Sequence, residues 1–136
     1  MRKDRDRKLQ KPAKRVFISY RRADTQQAYE LRGASEAIPN LELVVFPDDQ
    51  SADGDWRAVF RSLIRESDGL VCLVGPTTAS SSNIAWELDE ATKEGIPILL
   101  AGRGATALAR LRGDEPVETV EDVAPKTILT RLQALV

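Results

Sequence analysis

Glu87 is the residue in this chain whose position asks for chemistry. Across residues 70–91, LVCLVGPTTASSSNIAWELDEA, an apolar run gives way to small polar residues and then to a helical pattern. Ile84, Leu88 and Ala91 recur at i, i+4 and i+7 and mark the face turned to a core. Glu87, at i+3, lies on or beside that stripe, although the helix has outward positions for acids and Asp89 takes one of them. An acid on the inner side of a helix just past the end of a buried strand stands where α/β proteins bind ligands. The structural alternative is an acid near a helix N-terminus that stabilises the dipole by ~0.3–1 kcal/mol.

The rest of the composition narrows what that carboxylate can do. The chain has no histidine, which removes Ser–His and Cys–His nucleophile pairs, imidazole proton transfer and His-based metal sites. Its single cysteine, Cys72, lies inside an apolar run and reads as a core residue. Chemistry must therefore come from carboxylates, Arg, Lys, Tyr, Ser, backbone amides or a bound molecule. Gly102-Arg103-Gly104-Ala105-Thr106-Ala107 matches G-x-G-x-x-A, with Asp122 about twenty residues on. A dinucleotide fingerprint follows the first strand of its unit, whereas this stretch follows the fourth, so it reads as a glycine-rich turn.

The elements that must position these residues alternate regularly. Arg15–Tyr20 reads as a strand, and residues 25–38 as a weak helix ended by Pro39-Asn40. Leu43–Phe46 reads as a short buried strand, and residues 47–55, PDDQSADGD, as a turn-rich loop. Trp56, Val59, Phe60, Leu63 and Ile64 form the clearest amphipathic helix. Residues 69–74 are a fully apolar strand, as in a sheet covered on both faces. The Glu87 helix follows, closed by Gly95 and Pro97. Residues 96–101, 105–112, 117–120 and 126–136 read as strand, short helix, edge strand and final helix. Strand–helix repeated five times predicts a flavodoxin-like, doubly wound α/β domain: a five-stranded parallel sheet with helices on both faces. Its ligand crevice lies past the ends of strands 1 and 3. Topology therefore brings Tyr20–Asp24 and Glu87 together. A phospho-accepting receiver would need an acid at the tip of strand 3, where this chain has Gly75-Pro76.

With 136 residues the chain has room for one domain with a real core. No apolar run reaches the ~20 residues that cross a bilayer, and there is no signal-peptide pattern. A cytoplasmic location is expected, with no membrane partner. Residues 1–15 carry Arg2, Lys3, Arg5, Arg7, Lys8, Lys11, Lys14 and Arg15 against Asp4 and Asp6, about +6, which leaves about −7 for the remainder. Residues 1–14 are expected to be a basic flexible tail or linker and 15–136 the domain. No aromatic is interleaved with those charges, so nucleic acid is not an expected partner.

Several segments together resemble the bacterial TIR (Toll/interleukin-1 receptor) domains, closest to the TIR and TIR-like proteins of antiphage defence. VFISYRRAD, residues 16–24, is similar to their opening strand and first loop, and VVFPDD, residues 44–49, to their second strand and its loop. GDWRAVFRSLIRESDGLVCLVGP is similar to their next helix and third strand, and SSSNIAWELDEA to the segment bearing the family's catalytic glutamate. That glutamate falls on Glu87. Where the common pattern has a Trp four residues earlier this chain has Asn83, and Trp86 stands directly before Glu87, as in a TIR-like defence subgroup.

The resemblance implies cleavage of NAD, as substrate rather than cofactor, at the nicotinamide–ribose bond, and association with itself or with other TIR domains. Products in such members are nicotinamide plus ADP-ribose or a cyclised isomer that can act as a signal. Glu87 would be catalytic, and no metal is implied. Arg21 and Arg22 could fork onto a pyrophosphate or be surface charge. Tyr20 or Trp86 could stack on a base, and Ser19 could approach the ligand through its hydroxyl. Asp24 and Asp48 could meet ribose hydroxyls or serve as turn and cap residues. Phe46 is carried over with its segment as a substrate contact. The competing expectation is a non-catalytic TIR module that recruits partners through Pro47–Gly54.

Overall fold

The alternation of apolar strands and amphipathic helices resolves into three layers in the computed structural model, which describes residues 13–46, 56–113 and 115–136. The strands are β1 (Lys14–Ser19), β2 (Leu41–Val44), β3 (Gly69–Leu73), β4 (Ile98–Ala101) and β5 (Glu118–Val120). The helices are α1 (Thr25–Ser35), α2 (Trp56–Arg65), α3 (Ser82–Glu94), α4 (Ala105–Leu111) and α5 (Pro125–Leu135), with short 3-10 turns at Arg22–Asp24 and Thr78–Ser80. The sheet order is β2-β1-β3-β4-β5 and every pairing is parallel. This is the flavodoxin-like arrangement, with its reversal of order at β1 and β3.

Side-chain alternation along each strand supplies two cores. Val16, Ile18, Val71, Leu73 and Leu99 meet Ala28 and Leu31 of α1 and Ile128, Leu129 and Leu132 of α5 on one face. Phe17, Leu70, Cys72, Ile98 and Leu100 meet Phe60 and Ile64 of α2, Ile84, Leu88 and Ala91 of α3, and Ala105 and Leu108 of α4 on the other. Each large side chain so buried contributes about 1.5–3 kcal/mol. Among the described residues no helix is long and apolar enough to cross a membrane.

α1 and β2 depart most from the pattern reading. α1 stops at Ser35 rather than Ile38. The Ser35 hydroxyl donates back to the Arg32 carbonyl at 2.6 Å, and Asn40 takes a left-handed φ of 66° that turns the chain. β2 then starts at Leu41, in register with Lys14, and ends before Phe46. Ladder pairing with β1 sets its length, and hydropathy reports only its buried centre at Leu43.

The third helix behaves as its sequence requires. Ser81 caps α3 by accepting a hydrogen bond from the Ile84 amide at 3.2 Å. Gly95, at φ 71°, ends it, with the Gly95 amide donating to the Thr92 carbonyl and the Ile96 amide to that of Ala91. Gly102 marks a close backbone approach: a Cβ there would lie 2.3 Å from the Val74 carbonyl oxygen.

Candidate active site

β1 delivers Ser19, Tyr20 and Arg21 to the switch point, and the loop after β3 closes over them. Thr78 fastens that loop: its hydroxyl accepts from the Gly75 amide at 2.8 Å and donates to the Leu73 carbonyl. Arg21 spans the crevice, donating through Nη1 to the Thr77 carbonyl at 3.2 Å. α3 then enters beside β1. Its inward stripe is the predicted Ile84, Leu88 and Ala91, and Glu87 is buried on it at 4% exposure. Tyr20, Arg21, Ser81, Asn83, Ile84 and Glu87 line a small cavity of about 40 Å³. The fold thus gathers Tyr20, Arg21 and Glu87, which are far apart in sequence, around one polar hollow.

Below it lies Ser19, fully buried, paired in register with Cys72 of β3. Its Oγ has no hydrogen-bond partner among the described residues. The Cys72 thiol is pushed up to about 12, by burial first and the Glu87 carboxylate second, with the Ser19 hydroxyl and Arg112 opposing. That thiol is inert at neutral pH, as a core residue should be.

Asp24 ends the turn after β1. It is buried and makes no side-chain cap bond to α1. Its carboxylate oxygens lie 2.8 and 2.9 Å from where a Gly75 Cβ would stand, so glycine is what lets the acid sit over the tip of β3. Burial raises its pKa and the charge of Arg21 partly offsets that.

Several of the expected contacts have partners within the fold. Tyr20 belongs to the core and its hydroxyl donates to the Phe46 carbonyl at 3.0 Å, so it offers a ligand little open ring face. Phe46 packs edge-on against Phe60, 5.1 Å between centroids. Trp86, directed off its own helix's core stripe, meets Trp56 of α2 at 5.5 Å, under the guanidiniums of Arg57 and Arg61. Arg22 is exposed in the 3-10 turn. Phe46, Trp86 and Arg22 do not line the cavity. Asp48 and the loop 47–55 lie outside the described residues, as do residues 1–12.

Three participants escaped the sequence reading. Ser81 and Asn83 line the cavity. The S-x-x-I cap pattern marks Ser81, and Asn83 precedes Glu87 by one turn, a spacing that puts both on one face. Glu90 is a second buried acid of α3, satisfied by Arg61 Nε at 2.8 Å and by Lys93, and held below the ordinary carboxylate range chiefly by the Arg61 hydrogen bond. It ties α2 to α3. The glycine-rich turn before α4 is closed from within: the amides of Gly104 and Thr106 donate to Glu121 at 3.1 and 2.7 Å. A pyrophosphate would need those same amides. Asp122 accepts from the Ala124 amide at 3.0 Å instead of facing a ribose.

The flavodoxin-like sheet with helices on both faces is the fold on which TIR-like domains are built. The chain belongs to the family described as Thoeris protein ThsB, TIR-like domain, whose model matches residues 17–105, from β1 into the start of α4. Among solved structures it is similar to the Clostridium botulinum CMP N-glycosidase BcmB, at 18% identity and a TM-score of 0.58 over 88% of this chain and 99% of that one. That likeness is one of fold. No curated protein matches the chain.

Proposed function

We propose that this domain is an NAD-cleaving enzyme of antiphage defence, acting at the bond between nicotinamide and ribose. The observation that carries the reading is Glu87, buried at 4% exposure on the inner face of α3 yet lining a polar cavity with Arg21 and Tyr20. Nicotinamide in NAD is already cationic, so its bond to C1′ breaks with the electron pair leaving on the ring nitrogen and no proton supplied. That suits a site without histidine. The sugar is left with oxocarbenium character. The Glu87 carboxylate, held in a dry and preorganised place, stabilises that charge and can accept hydrogen bonds from the ribose hydroxyls. Water, or a nucleophile of the same molecule, then takes C1′, giving ADP-ribose or a cyclic isomer.

Arg21 suits the pyrophosphate. Its guanidinium donates to a neutral carbonyl, that of Thr77, and a phosphate oxygen is the stronger acceptor. The cavity of about 40 Å³ is far smaller than a dinucleotide, so the substrate extends beyond it. Self-association, or another TIR domain, would supply the remaining walls. The similar Clostridium botulinum protein is a CMP N-glycosidase. CMP is therefore tested beside NAD, since both carry an N-glycosidic bond to ribose. The test is release of free base, followed by chromatography. Nicotinamide release from NAD that Glu87→Gln eliminates supports the reading, and turnover of CMP alone moves the substrate to nucleoside monophosphates. No release from either, at any protein concentration, leaves a recruiting module as the function.

A further inference from the structure

We infer that Asn83 and the cavity it lines bind the carboxamide of the leaving nicotinamide, making Asn83 a specificity-determining residue; this rests on the NAD-cleaving reading above. Asn83 stands one helical turn before Glu87, on the same face of α3, and both line the same hollow. If Glu87 attends C1′, the group within reach of Asn83 is the one attached to C1′, the leaving base.

Ser81, Arg21 and Tyr20 each make a side-chain hydrogen bond within the fold. Ser81 Oγ accepts from the Ile84 amide at 3.2 Å. Arg21 Nη1 donates to the Thr77 carbonyl at 3.2 Å, and the Tyr20 hydroxyl to the Phe46 carbonyl at 3.0 Å. Ile84 is apolar. Asn83, half-buried, makes no side-chain hydrogen bond among the described residues. Its amide carries two N–H donors and a carbonyl acceptor side by side. Another amide, such as a carboxamide, answers such a pair with two bonds.

Size agrees with this. A hollow of about 40 Å³ clears the ~10–15 Å³ that a single water needs and has room for a carboxamide. The pyridinium would rest at the mouth with its carboxamide directed inward and C1′ turned to Glu87. A site that reads an amide by its hydrogen bonds rejects analogues lacking one, because its own polar groups are then left unpaired.

The experiment compares NAD with its 3-acetylpyridine analogue, in which a methyl group replaces the amide nitrogen. It uses the full chain as wild type, Asn83→Leu and Asn83→Asp, each checked for native circular dichroism. The expected result is a wild-type preference for NAD. Asn83→Leu should lower kcat/KM for NAD about 10- to 100-fold and lower it less for the analogue, which keeps only the carbonyl acceptor, so that the preference shrinks. Equal losses on both substrates, or an unchanged preference in both variants, would overturn the assignment. A wild type that releases no nicotinamide from NAD defeats the NAD-cleaving reading separately. Asn83 is then judged by calorimetric titration with nicotinamide alone. Binding that Asn83→Leu removes sustains it, and binding that is absent or insensitive to the variant refutes it.

Discussion

Glu87 and Asp24 are both buried acids near the tips of β1 and β3, and they solve burial differently. Glu87 lies along a polar cavity, whereas Asp24 is wedged against Gly75 with only the charge of Arg21 to offset its desolvation. An acid whose pKa is raised by folding holds its proton more tightly in the folded chain than in the unfolded one. Its contribution is therefore fully favourable below the ordinary Asp value of about 3.9 and is lost as pH rises through its elevated folded value. Asp24→Asn should accordingly raise the melting temperature at pH 7 and give a smaller gain near pH 4. Thermal unfolding at the two pH values checks this, and a variant less stable than wild type at pH 7 would show Asp24 to be structural. Arg21→Ala should raise KM for NAD more than it lowers kcat, because its proposed work is to bind phosphate. A fall in kcat alone, in steady-state kinetics, would argue against that role.

The element that matters most is α3, and its seam with α2 holds it in place. Trp86 against Trp56, the arginines above the rings and the Arg61–Glu90 ion pair all lie on that seam. Trp86→Ala should cost about 2–4 kcal/mol and Arg61→Ala about 1–3 kcal/mol, the latter by leaving Glu90 buried and without its main partner. Urea unfolding measures both, and a shift under about 0.5 kcal/mol in either would mean that the seam is not holding the helix. Much of α3 was legible in sequence: periodicity identified its inner face, Gly95 its end, and the misplaced acid its interest. The partners of Trp86 were not. A helical wheel says that the ring leaves the stripe, but not that α2 is waiting there. The internal partner of Tyr20 was hidden for a related reason: its side chain alternates inward from β1, and the acceptor for its hydroxyl, the Phe46 carbonyl, comes from just past β2. Asn83 went unrecognised as a cavity residue because spacing assigns a residue to a face, while only the folded loop after β3 makes that face the wall of a cavity.

For the whole molecule, the strand order follows from connection rules that act on any run of apolar strands and amphipathic helices, which is why the fold was readable before any contact was known. The chemistry depends on what meets at the order reversal. There the chain places one buried glutamate, one arginine and a hollow too small for the proposed substrate. Assembly should therefore matter: specific activity is expected to rise with protein concentration, and an activity strictly proportional to concentration would mean that a single chain completes its own site. The most direct measurement is product analysis of NAD incubated with purified protein at low and high concentration, with Glu87→Gln as control. The account predicts nicotinamide together with ADP-ribose or a cyclic isomer from the wild type, and no nicotinamide from a Glu87→Gln protein that keeps its circular dichroism and melting temperature. Undiminished nicotinamide release by that folded variant would contradict it.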